Sequence, residues 1–175
     1  MTNHLFRTSK VQVNTLRTIN NNLTDFGGMF VIALIQRVTH AKVEVDKNNI
    51  GSINAGILLL LGVEKSDTTK NADDLLNKVI NYRIFVDQDD KMNLSLLDID
   101  GELLVVPQFT LPANTRKGTR PSFASAAAPE AGKHYYEYFI EQAKAKLKTV
   151  ETGEFGADMQ VSLTNDGPVT FWLQK

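Results

Sequence analysis

The sequence predicts an α+β fold, a mostly antiparallel sheet carrying two amphipathic helices. Three observations predict it. Short runs rich in Val, Ile, Leu and Phe recur from Val31 onward. Only two segments keep their apolar residues at helical spacing, and clusters of Asn, Asp, Gly and Pro punctuate the rest.

The elements follow in order. "VIALIQRV" and "AKVEVD" read as two strands, the second alternating Val43 and Val45 with charged residues. "NNIGSI" reads as a turn, and "GILLLLGVEK" as a buried central strand, its apolar run too short to cross a membrane. Asp67 and Thr68 are cap residues for a helix whose buried stripe is Ala72, Leu75, Leu76, Val79 and Ile80. "YRIFVD" returns to strand, "DQDDK" is an exposed turn, and "GELLVVPQFTL" is a further apolar strand closing in Pro107 and Gln108. The irregular "PANTRKGTRPSFASAAAP" is long for a compact domain, which points to function or mobility. Pro129 suits the first turn of a second helix. That helix buries Tyr136, Phe139, Ile140, Ala143 and Leu147, keeps Lys144, Lys146 and Lys148 wet, and is ended by Gly153 and Gly156. "DMQVSLTN" and "VTFWLQ" are the last two strands, separated by the turn-forming Asn165, Asp166, Gly167 and Pro168.

Length suits one domain, expected at residues 29–175. Residues 1–28, rich in Asn and Thr and closed by Gly27-Gly28, read as a flexible or spurious extension, with Met29 marking the start of the regular pattern. The chain has no cysteine, which excludes disulfides, thiol nucleophiles and thiolate metal sites, and fits a reducing, cytoplasmic location. Net charge is -1, and without Arg7, Lys10, Arg17 and Asp25 of the extension it is -3. Attraction for nucleic acid therefore has to be local. Arg116, Lys117 and Arg120 form a basic loop that either meets phosphates or is simply solvated.

Side-chain chemistry is sparse. His4, His40 and His134 belong to no metal-binding or catalytic pattern, and neither a phosphate loop nor a Gly-x-Ser-x-Gly elbow is present. Asp73-Asp74 and the carboxylates from Asp87 to Asp90 read as solvated. An enzyme built on this chain needs another device, such as backbone N–H groups that hold an oxyanion. The candidate places are strand ends in polar turns: Gln108-Phe109-Thr110, and Asn165 to Thr170. The plainer alternatives are a strand end with Phe109 in the core and an ordinary strand threonine at Thr170.

"PQFTL", then "RPSF", then "MQVSLTNDGPVTFWLQ" resemble the D-aminoacyl-tRNA deacylases, also called D-tyrosyl-tRNA deacylases. "ALIQRVTHAKVEV", "LLGVEKSD", "YRIFVD", "KMNLS" and "LVVPQFTL" are similar too, so the resemblance runs from about Val31 to the C-terminus. It implies an antiparallel β-barrel-like sheet with helices outside, in a homodimer with active sites at the subunit interface. Trp172 and Phe171 then read as core or dimer contacts. The implied reaction is hydrolysis of the ester between a D-amino acid, or glycine mischarged onto alanine tRNA, and the 3′-terminal adenosine, with no metal or organic cofactor.

By the same resemblance Gly167-Pro168 is a cis-proline motif that enters the partner subunit's pocket and rejects L-amino acids with main-chain oxygens. Arg37 braces it. Phe109 and Thr110 supply oxyanion-holding N–H groups, Gln108 lines the adenosine end, and Met159, Asn165 and Thr170 support the site. The substrate's own 2′-hydroxyl helps the attacking water. One residue departs from the family pattern: Pro107 stands where Ser is usual. That departure keeps a second reading open, a tRNA-binding or structural dimer of the same fold with weakened chemistry.

Overall fold

The computed structural model describes residues 31–175, so the extension read at 1–28, with His4, lies outside the described residues. Among the described residues eight strands and two helices follow one another: β1 Ile32–Val45, β2 Asn48–Ile53, β3 Gly56–Gly62, α1 Thr69–Ile80, β4 Phe85–Val86, β5 Met92–Leu94, β6 Glu102–Pro107, α2 Pro129–Lys144, β7 Val150–Thr152 and β8 Met159–Gln174. β4 and β5 form a small separate ribbon; the other six strands make one sheet.

β1 organises that sheet. It pairs antiparallel with β3 through its first half, with β2 through its second, and with β8 along most of its length. The sheet continues β3–β6–β7, and β2 packs back toward β6 and β7, so it is nearly closed into a barrel. The α+β class stands, but the expectation of an antiparallel sheet is corrected, because β3–β6 and β6–β7 are both parallel. The physical reason is connectivity: each of these pairs is joined by a segment containing a helix, and such a crossover returns the chain in the same direction.

Four boundaries also differ from the sequence reading. "VIALIQRV" and "AKVEVD" are one strand, and "NNIGSI" is a strand, not a turn, its hairpin with β1 being closed by Asp46 and Lys47 at positive φ. α2 stops at Lys144, well before Gly153, and the short β7 intervenes. "DMQVSLTN" and "VTFWLQ" belong to a single strand, β8, with Asn165–Pro168 as an irregularity inside it.

The main core lies between the sheet and the helices. α1 buries Ala72, Leu75, Leu76, Val79 and Ile80, as its spacing predicts, against Phe139 and Ala143 of α2 and Ile35, Leu59 and Val105 of the sheet. Each fully buried Leu or Phe contributes roughly 2 kcal/mol. On the second face Val38, Ala41, Val43, Leu58, Leu104 and Val106 form another cluster, with Leu60, Met159, Val161 and Leu163 half-buried over it. Among the described residues no helix is long and apolar enough to cross a membrane.

Of the two expected caps, Thr68 is the N-cap, and its hydroxyl accepts from the Asn71 N–H while the Asn71 side chain accepts from the Thr68 N–H. Asp67 instead turns inward, where its Oδ2 accepts from the Glu64 N–H at 2.6 Å and its Oδ1 has no partner. Burial pushes this carboxyl up to about 6; the Glu64 N–H pulls it down and the Glu64 charge adds to the rise. The folded state thus holds a proton that the unfolded chain has already released. This contribution to stability is complete below about pH 4 and is lost as the pH rises through about 6. Asp67→Asn should remove that slope, worth on the order of 1–3 kcal/mol, in urea unfolding compared at pH 4, 5 and 7.

Candidate active site

β6 ends at Pro107, as the missing proline donor requires. Leu103 donates to Thr149 O and Gly153 to Val105 O, so the odd residues of β6 face β7. By the register Leu103↔Val150 and Val105↔Thr152, an N–H at position 107 would face the Gly153 carbonyl, just beyond the end of β7. Proline there withholds that donor, and the next bond to β3 is made by the Gln108 N–H to Leu61 O at 2.7 Å.

The chain then turns. Leu111 N–H donates back to Gln108 O at 3.2 Å and Ala113 N–H to Thr110 O at 3.1 Å, which leaves the Phe109 and Thr110 N–H groups at the open start of the turn. Among the described residues neither donates a hydrogen bond, and both residues are exposed. Gln108 Nε2 donates to Thr110 Oγ1 at 2.6 Å across the turn. Phe109 is 66 % exposed, not in the core, and rests on Phe123 with ring centroids 5.4 Å apart. The turn sits on Gly62, where a Cβ would come within 2.8 Å of Leu111 Cβ and 3.0 Å of Pro112 Cδ. Tyr136, whose one phenol proton lies between Val105 O at 3.0 Å and Gly153 O at 2.9 Å, ties the ends of β6 and β7 together, and burial raises its pKa. Met159 Sδ and Pro107 Cδ both lie over Gly153, and Met159 Sδ also accepts from the Glu154 N–H at 3.3 Å. Met159 therefore lies beside the end of β6, next to Pro107 and Gly153.

The second cluster interrupts the β1–β8 ladder. Gln36 pairs with Thr170 and Val38 with Asn165, so four residues of β8, Asp166 to Val169, stand opposite the single residue Arg37. The extra residues bulge outward, with Asp166, Gly167 and Pro168 exposed. The Gly167–Pro168 peptide is cis and Gly167 has φ 132°. Asn165 closes the base of the bulge: its Oδ1 accepts from the Val169 N–H at 2.7 Å and its Nδ2 donates to Thr170 Oγ1 at 3.0 Å. Thr170 also accepts from Gln36 Nε2 at 3.3 Å.

Arg37, only 8 % exposed, holds the bulge from within. Its Nε reaches Asp166 O at 3.1 Å and Asp166 Oδ2 at 3.0 Å, and its Nη1 donates to Ile84 O at 2.5 Å. Asp166 and the Ile84 carbonyl were missed as partners; Asp166 was visible only as part of a turn-forming cluster, and nothing local marks Ile84.

The expected residues thus gather into two clusters: Gln108, Phe109, Thr110 and Met159 at the end of β6, and Arg37, Asn165, Gly167, Pro168 and Thr170 on β1 and β8. Among the described residues no group of His, Asp or Glu is arranged to hold a metal ion. His40 is exposed beside Thr39 and Thr164, and His134 is exposed on α2. Asp87 is engaged in its own turn, its carboxylate accepting from Asp89, Lys91 and Asn93, which lowers its pKa.

Comparison with known proteins adds to this geometry. The profile of the D-Tyr-tRNA(Tyr) deacylase family matches residues 34–174. A D-aminoacyl-tRNA deacylase of Pseudoalteromonas translucida is 67 % identical over 140 residues, covering 80 % of this chain and 97 % of the relative. One from Janthinobacterium sp. is 58 % identical, covering 82 % and 97 %. A solved structure named c-Myc DNA Unwinding Element Binding Protein superposes with TM-score 0.79 at 39 % identity, covering 82 % of this chain and 98 % of that one. A structure described as a "probable eukaryotic D-amino acid tRNA deacylase" shares the fold, with TM-score 0.74 at 15 % identity, covering 84 % and 100 %.

Proposed function

The chain belongs to the D-Tyr-tRNA(Tyr) deacylase family of ester hydrolases, and from this premise we propose that it frees tRNA from D-amino acids by main-chain chemistry. The observation that carries the proposal is the pair of adjacent, unengaged N–H groups of Phe109 and Thr110 at the end of β6. Water attacks the ester carbonyl carbon, aided by the substrate's 2′-hydroxyl. The two N–H groups hold the oxyanion that forms, which is where preorganised donors lower a barrier most. The bond to the 3′-oxygen of adenosine then breaks, that oxygen takes a proton, and the free amino acid and tRNA leave. Gln108 lines the adenosine end and Met159 packs beside it. This route calls for no metal, organic cofactor or side-chain base.

Discrimination falls to the Gly167–Pro168 bulge. In a homodimer it enters the pocket of the partner subunit, and its carbonyl oxygens occupy the space an L side chain needs. Rejection by a clash needs rigidity more than a strong contact, and the grip of Arg37 and Asn165 on both ends of the bulge supports that role. Glycine has no side chain at either hand, so glycine mischarged onto alanine tRNA passes the same filter. The enzyme works in the cytoplasm, where its tRNA substrate is.

The alternative, a tRNA-binding or structural dimer with weakened chemistry, has Pro107 and the DNA-binding name of a 39 % identical structure in its favour. Against it, the oxyanion turn lies downstream of Pro107, and the Gly153 carbonyl that an N–H there would meet is engaged by the Tyr136 phenol instead. Incubation of the purified protein with D-tyrosyl-tRNA separates the two. Release of D-tyrosine supports the hydrolase, and no release from a folded dimer supports the alternative.

A further inference from the structure

We propose that the tip of the segment after the oxyanion turn is a docking surface for the phosphates of the tRNA acceptor end, with Lys117 and Arg120 as its cations. The identity of the ligand rests on the deacylase reading; the anion-binding surface rests on the following geometry. Between Glu102 and Glu130 the chain has no carboxylate side chain, while Arg116, Lys117 and Arg120 fall within five residues. All three are exposed, and among the described residues Lys117 and Arg120 pair with no carboxylate.

The cations are held on a formed hairpin. Asn114 and Ser122 exchange N–H to O bonds of 2.7 and 3.0 Å, Asn114 Oδ1 accepts from the Arg116 N–H at 3.0 Å, and Gly118 turns the tip at φ 68°. The base of this hairpin is fastened beside the oxyanion turn. Phe123 packs on Phe109, Ser125 Oγ donates to Pro112 O, and Lys65 N–H donates to Ser125 O at 3.1 Å. Glu64 is the acidic neighbour at the base, bridged to Ala126, which itself lies eight residues along the chain from Gly118.

A tip four residues beyond its closing bridge reaches at most about 13 Å from it. That is the range of the nucleotides next to the terminal adenosine, whose ester must lie at Phe109 and Thr110. The remainder of the chain is net acidic, so RNA needs one local region of opposite sign. The exposed tip beside the reacting end supplies it.

The test is binding of deacylated tRNA by the full protein across a salt series, for the parent and for Lys117→Gln/Arg120→Gln. The double variant should bind roughly ten-fold more weakly at about 0.1 M salt, with a slope of log K against log salt shallower by about 1.5, the release expected from two phosphate contacts. In hydrolysis of D-tyrosyl-tRNA the loss should appear in KM. The charge-preserving Lys117→Arg/Arg120→Lys should retain affinity and slope. An unchanged slope overturns the proposal, whether affinity is kept or lost. A parent that binds tRNA through these cations but releases no D-tyrosine would leave the docking surface standing and defeat the deacylase reading instead.

Discussion

Gly167→Ala should lower kcat/KM for D-tyrosyl-tRNA by about 100-fold while costing the protein only a few degrees in Tm. The backbone at this residue has φ 132°, a region L side chains rarely adopt. An added Cβ would stand 2.6 Å from Val169 Cγ2 and 3.1 Å from both Arg37 Nη2 and the Val169 N. Arg37 is buried and fixed by three contacts, so it cannot yield. The exposed bulge must move, and a shift of about 1 Å at a positioning element is worth about two orders of magnitude in rate. The stability cost stays small, because Gly167 lies in neither hydrophobic cluster and Val169 only packs, half-buried, at the margin of the main one. Steady-state kinetics with thermal unfolding on the same preparation checks both halves; a variant with parental kcat/KM would show that the bulge does not position the ester.

Arg37→Lys should cost about 1–3 kcal/mol of stability and let L-tyrosyl-tRNA be cleaved at a measurable rate. Lysine has one ammonium where Arg37 uses a planar fork to reach Ile84 O in one direction and Asp166 in another. The stability loss comes mainly from the Ile84 carbonyl, left buried without a donor. The Asp166 carboxylate is half exposed, so its ion pair is screened and adds little. Its importance is positional: without Arg37 one end of the bulge is free and the clash with an L side chain softens. Asp166→Asn keeps the carbonyl acceptor and should be milder on both counts. Urea unfolding and the ratio of D to L cleavage rates measure the two effects; full retention of selectivity in Arg37→Lys would remove Arg37 from the filter.

How far the sequence reveals this molecule depends on how local each determinant is. Helix α1 is legible because its cap and its buried stripe lie within thirteen consecutive residues, Thr68 to Ile80. The end of β6 is legible because proline cannot donate. The parallel pairing of β3 and β6 is harder, yet its mark is there: "GILLLLG" is apolar throughout instead of alternating, as suits a strand covered on both faces. The strand β2 is hidden because "NNIGSI" is turn-forming by composition and is held by its partner β1. The site is the least local feature. Arg37 lies 129 residues from Asp166 and 47 from Ile84, and no periodicity joins them. Family resemblance, not spacing, singles out Arg37, and the bulge becomes visible only when the ladder on either side of it is in register.

The central claim is that peptide groups, not reactive side chains, tell mirror-image esters apart. It is tested most directly by kcat/KM for D-tyrosyl- and L-tyrosyl-tRNA, prepared on the same tRNA and hydrolysed by the same unmodified protein. A D-ester cleaved at least about 100-fold faster is the predicted result. Equal cleavage of the two would contradict it.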